Sequence, residues 1–118
     1  MNRSTLVLTF QQAVEGFLLD LHAEGYSQST IDIYKWGLNK FKPHIPIKLI
    51  DISKNDLLIT YSALRSEELK PASIQNVWIA MRTFFAWSSK KFGLNRIDLD
   101  IPCPRVTPPA IVPGLMFS

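Results

Sequence analysis

Apolar residues recur along this chain in four stripes at helical spacing, separated by glycine, proline and short polar runs. Phe10, Val14, Phe17, Leu18 and Leu21 fall on one helical face. Thr9 is placed to cap that helix and Gly25 to close it, which predicts a first helix over residues 10–24. Ser27 opens the next, with Ser29 and Thr30 as competing caps, and Ile31, Tyr34, Leu38 and Phe41 share its face. Pro43 and Pro46 stop it near Lys42. Gly37 lies inside this second helix and costs about 1 kcal/mol relative to alanine, a loss that only a close helix crossing would offset.

The connection from Pro43 to Ile52 carries Ile47, Leu49 and Ile50, which are expected to cover one end of the core. Ser53 and Asp56 form an approximate capping box ahead of a third helix, marked by Leu57, Leu58, Tyr61 and Leu64 and ending at Ser66 or Glu68. After a polar turn, Pro71 suits a first helical position behind Lys70, and Ser73 competes with it as the cap. Ile74, Val77, Met81, Phe84, Phe85 and Ser88 then trace the longest helix to Phe92. Lys90 and Lys91 complement its dipole and Gly93 ends it. Beyond Gly93 the prolines at 102, 104, 108, 109 and 113 exclude regular helix, while Ile97, Leu99 and Ile101 are expected to dock as an extended segment. The pattern predicts an all-α domain over residues 9–102, a compact bundle of two packed helical hairpins. It stands between an N-terminal extension (1–8) and a proline-rich linker or tail (103–118).

Composition narrows this picture. A chain of 118 residues, 47% hydrophobic and 11% aromatic, suits one folded domain. The apolar patch at residues 6–10 is too short for a signal-peptide core and no run is long enough to span a bilayer, so a cytoplasmic protein with no membrane partner is expected. The net charge of +3 is uneven: six basic residues balance six acidic ones through Thr60, and seven face four thereafter. Such a surplus permits binding to a polyanion without establishing it.

Chemistry is sparse. His22, His44 and Cys103 fall on separate elements with no metal-ligand spacing, and the five glycines are isolated rather than gathered into a phosphate loop. Asp98 with Asp100, Glu67 with Glu68, and Asp20 with Glu24 are read as solvated pairs. No catalytic residue, cofactor or metal is expected from this stretch. What remains is the outward surface of two helices. Opposite the apolar stripe of the second lie Ser29, Trp36 and Lys40, flanked by Asp32 and Ile33. The fourth turns Ser73, Gln75, Asn76, Ile79, Thr83 and Lys90 wholly or partly outward, with Arg82 near the boundary. An outward tryptophan forfeits burial energy, so Trp36 either folds over a neighbouring loop or marks a contact surface.

In order and spacing these elements resemble the N-terminal core-binding domain of tyrosine recombinases, the phage-integrase family. The resemblance is carried by FQQAVEGFLLDLHAEG (10–25), YSQSTIDIYKWGLNKFKPHI (26–45), IDISKNDLLITYSAL (50–64) and LKPASIQNVWIAMRTFFAWSSKKFGLNRIDLDIP (69–102). It implies a SAM-like, orthogonal four-helix bundle that lays its second and fourth helices against duplex DNA. It assigns DNA contact to Ser27, Ser29, Thr30, Lys35 and Lys40 on the second helix, and to Ser73, Gln75, Asn76, Arg82 and Lys90 on the fourth. The family cuts DNA through a covalent tyrosine link formed in a separate catalytic domain, which has no counterpart after Pro113. Tyr26, Tyr34 and Tyr61 therefore match helical core or capping positions and not the nucleophile. The expected partners are double-stranded DNA, a catalytic domain of the same parent chain and further copies assembled on DNA. The alternative function is a protein-interaction domain that docks through Trp36 and Ile79.

Overall fold

The computed structural model describes residues 3–103, and the sequence readings that fall on Met1, Asn2 and 104–118 lie outside the described residues. The fold is all-helical: α1 (Arg3–Val7), α2 (Phe10–Ala23), α3 (Gln28–Asn39), α4 (Lys54–Ser66) and α5 (Pro71–Phe92), with 3₁₀ turns at Lys42–His44 and Leu49–Asp51. The four striped segments become α2 to α5. Their caps follow the side-chain chemistry. Thr9 accepts a hydrogen bond from the Gln12 amide at 3.0 Å while the Gln12 side chain accepts one from Thr9 N–H. Ser53 and Asp56 exchange the same pair of bonds, so the shorter carboxylate also closes the box. Ser27 is the cap of α3, accepting from the Thr30 amide, and Lys70 precedes Pro71 at the start of α5 without a side-chain cap. Gly25 and Gly93 take φ of 93° and 71° just past α2 and α5.

Three parts of the chain differ from the pattern. Residues 3–7 of the expected extension form α1, whose five residues are too few to show a periodic stripe. It is anchored beside the 43–52 connection: Leu49 N–H donates to the Leu8 carbonyl at 2.9 Å, and Phe10 N–H donates to the Ile47 carbonyl at 2.8 Å. Ile47 contributes that carbonyl and leaves its side chain exposed, so Leu49 and Ile52, not Ile47, close this end of the core. The segment after Gly93 docks through Ile97 and a fully covered Ile101. It does so as a turn, with Ile101 N–H bonded to the Asp98 carbonyl, and Leu99 points outward.

The core is aromatic. Phe17, Phe41 and Phe84 are fully buried, each stabilising the fold by about 1.5–3 kcal/mol. Phe84 meets Phe10 and Phe17 edge-on at 5.4 and 5.6 Å between ring centres. The most extensive helix pairing is α3 against α5. Gly37 sits at that crossing, where a Cβ would stand 3.1 Å from the Ala80 Cβ and 3.3 Å from the Val77 Cα. The crossing supplies what offsets a glycine in mid-helix.

The edge of α5 is tied to α2 through Asp20. Trp87 Nε1 donates to its carboxylate at 2.8 Å and Lys91 Nζ lies 3.2 Å away. The indole hydrogen bond, with the ammonium behind it, holds the Asp20 carboxyl below its ordinary range. Because the folded-state value is depressed, this contact contributes to stability at neutral pH and is lost as the pH falls through that value. Two outcomes follow. Gly37→Leu lowers the urea midpoint by an amount equivalent to about 1–3 kcal/mol, with an unchanged m-value, because the clash falls on backbone. Trp87→Phe moves the Asp20 carboxyl titration, followed by NMR, upward toward that of a free aspartate.

Candidate nucleic-acid interface

The residues singled out on α3 and α5 do not form one patch. Helix geometry and the segments that cover each face divide them. The most exposed face of α5 is the row Ala72, Asn76, Ile79, Thr83, Ala86 and Lys90, spaced by three and four residues. It carries no acid and one cation, and its side chains are mostly short. Thr83 keeps its hydroxyl on the helix by donating to the Ile79 carbonyl at 2.9 Å. Where this face meets α3, Ser73 and Asn76 line a shallow open groove together with Asp32, Ile33 and Trp36.

Trp36 is 40% exposed, and the Lys40 ammonium stands 5.2 Å from its ring centre. Lys40 is also paired with Glu67 just past α4 at 3.7 Å, so it is shared between that indole and a carboxylate. At the start of α3, Ser27 and Thr30 are occupied with each other: the Ser27 hydroxyl accepts from the Thr30 amide and bonds the Thr30 hydroxyl at 3.0 Å. Ser29 stays exposed beside them. Lys35 lies on the other flank of α3, in a groove toward α2 with Glu15, His22, Gln28 and Asn39. Lys35 and Lys90 form no ion pair among the described residues.

Gln75 and Arg82 fall on a different row of α5 from Asn76 and Lys90. With Trp78 between them they face the segment that follows the helix. Gln75 Nε2 lies 3.6 Å from Cys103 Sγ, and Trp78 Nε1 donates to the Ile101 carbonyl at 3.1 Å. Arg82 lies over the Trp78 ring at 5.1 Å and stands 3.4 Å from Asp98. Asp98 is the largest departure from the sequence reading. It is completely buried, not solvated, and Arg96 grips both of its oxygens, Nε to Oδ1 at 2.8 Å and Nη2 to Oδ2 at 2.7 Å. The Asp98 hydrogen bonds hold the Arg96 guanidinium above its ordinary range. A buried carboxylate needs such a partner, since an unpaired charge in the interior costs several kcal/mol. Beneath the cluster, Tyr61 donates its hydroxyl to Met81 Sδ at 3.3 Å, and burial, with the charge of Asp98 behind it, pushes its phenol far up.

Sequence reasoning missed Trp78, Arg96 and Asp98. The available signal was a carboxylate set between Ile97 and Leu99 with an arginine two residues before it, in a segment already expected to dock. Among the described residues there is no group of histidine, cysteine and carboxylate side chains able to hold a metal ion, and no helix long and apolar enough to cross a membrane.

A comparison with protein families matches residues 14–91, more than half of the chain, to the phage integrase N-terminal SAM-like domain. No curated protein and no solved structure matches the chain. The match runs from within α2 to the last turn of α5, the same four helices that carry the stripes, the caps and the α3–α5 crossing. By that match and that all-helical architecture, the chain belongs to the phage integrase N-terminal SAM-like domain family.

Proposed function

We propose that this domain grips duplex DNA for a site-specific tyrosine recombinase, and that α3 and α5 form its contact surface. The observation that carries the reading is the mutual packing of these two helices. It joins the exposed row Asn76, Ile79, Thr83 and Lys90 to Ser73, Trp36 and Ser29 on one side of the molecule. The α5 face carries no acid and mostly short side chains, which lets its backbone come close to a groove wall, while Asp32 of α3 lines the adjoining groove. Asn76 is suited to base edges, and Ser29, Ser73 and Lys90 to phosphates. Lys35 and Lys90, unpaired among the described residues, supply charge at the two flanks.

The cutting chemistry belongs, in this reading, to a catalytic domain of the same parent protein, and this domain contributes placement. The protein then works in the compartment that holds the DNA, the cytoplasm, and copies assemble along the site. The exposure of Ile33, Trp36 and Ile79, each between 40% and 47%, favours a second reading in which this groove docks a protein.

Fluorescence anisotropy with a labelled duplex separates the two. On the DNA reading the domain binds with a dissociation constant near the non-specific range of roughly 10⁻⁴ to 10⁻⁶ M, weakening as salt rises. Lys90→Gln or Lys35→Gln lowers the slope of log affinity against log salt by about 0.9 each. Affinity indifferent to salt, together with self-association abolished by Trp36→Ala, supports the docking reading and overturns this one.

A further inference from the structure

The Arg82–Asp98–Arg96 cluster holds more positive charge than its buried carboxylate requires. Arg96 satisfies Asp98 by itself: two short, parallel hydrogen bonds to both oxygens are the strongest pairing available to a carboxylate. Arg82 then approaches the same carboxylate at 3.4 Å without that bidentate geometry, and it is the more exposed of the two, its side chain 34% accessible against 26%. The cluster thus carries one net positive charge, centred on Arg82, at the margin of the outward face of α5.

That guanidinium is also held in place. Trp78 lies against it at 5.1 Å, and Trp78 is itself fixed by its hydrogen bond to the Ile101 carbonyl. A free arginine loses up to about 2 kcal/mol of rotamer freedom when it is immobilised on a ligand. Here the fold has already imposed most of that restriction, so a ligand oxygen meets a cation that is charged, oriented and partly desolvated. The chemistry that fits a planar fork of N–H donors presented this way is a phosphate diester.

We infer that Asp98 is a positioning residue, which holds Arg82 over Trp78 as a pre-oriented contact for a backbone phosphate of bound DNA. The inference rests on the DNA reading above and deepens it. Asp98, Ile101 and Cys103 lie on the segment that leaves α5, so the docking of that segment and the phosphate contact become one event. Whatever pulls residues 96–103 from α5 also releases the arginine. Gln75 and Arg82 thereby differ in kind from Asn76 and Lys90: their row belongs first to the exit segment, and Arg82 alone extends from it to the ligand.

The test measures duplex affinity of the full chain between about 50 and 200 mM salt for Arg82→Gln, Asp98→Asn and the double variant, with helicity checked by circular dichroism. Arg82→Gln is expected to lose affinity roughly tenfold at low salt and about 0.9 of slope. Asp98→Asn is expected to lose most of the same, and the double variant no more than Arg82→Gln alone, since Asp98 acts through Arg82. Tighter binding by Asp98→Asn shows the carboxylate merely masks a cation, and additive losses show a general structural role; either overturns the inference. If Asp98→Asn does not fold, Arg82→Lys decides: it keeps the charge without the fork, and wild-type affinity in that variant refutes positioning. A wild-type chain with no affinity for duplex defeats the DNA reading itself, whereas binding that Arg82→Gln leaves unchanged defeats only this inference.

Discussion

Where α3 crosses α5, no side chain separates the two backbones at Gly37. A methyl group there would meet Ala80 and the Val77 backbone at 3.1 and 3.3 Å, inside ordinary packing distance. This closeness sets the rest of the arrangement. It places Ile31 and Leu38 of α3 against the same core as Val77, Met81 and Phe84 of α5. It also puts the outward residues of both helices on a common surface, because two helices in near backbone contact share a groove instead of a ridge of large side chains. The conformational cost of glycine in a helix is the condition for having that surface at all.

A second constraint acts on the other flank of α5. Burying Asp98 commits two arginines, an indole and the polypeptide from 96 to 103 to one cluster. Such a polar cluster stabilises less than an apolar one of equal volume, yet it fixes geometry strictly, since every member loses a partner if one moves. The exit of the chain from the bundle is therefore as well defined as the helix crossing. For a domain whose proposed task is to hold DNA while chemistry is done elsewhere in the parent protein, a fixed exit carries as much weight as a fixed binding face.

The helices were legible because each is a local event: a stripe, a cap, a glycine or proline to stop it. Ser53 with Asp56, and Thr9 with the helix behind it, needed no tertiary knowledge. What the sequence concealed were relations between distant residues. Gly37 was visible as an anomaly, but its partner Ala80 lies 43 positions away and is unremarkable in its own helix. Asp98 stands two residues from the Arg96 that grips it, but its burial arises only once the exit segment docks on α5, and Ile47 holds its place through its carbonyl while its side chain stays exposed. The candidate surface suffered in the same way. Gln75 and Asn76 are neighbours in sequence, yet a turn of 100° per residue sends one to the exit segment and the other to the groove.

The central claim is that the joined surface of α3 and α5 is what meets DNA. Amide-resolved NMR during titration with a duplex tests it most directly. Salt-sensitive shifts are expected at Ser29, Trp36, Ser73, Asn76, Ile79, Thr83 and Lys90, with the exposed Leu58 and Ile59 of α4 unmoved. Shifts centred on Leu58 and Ile59, or none at any duplex concentration, would contradict it.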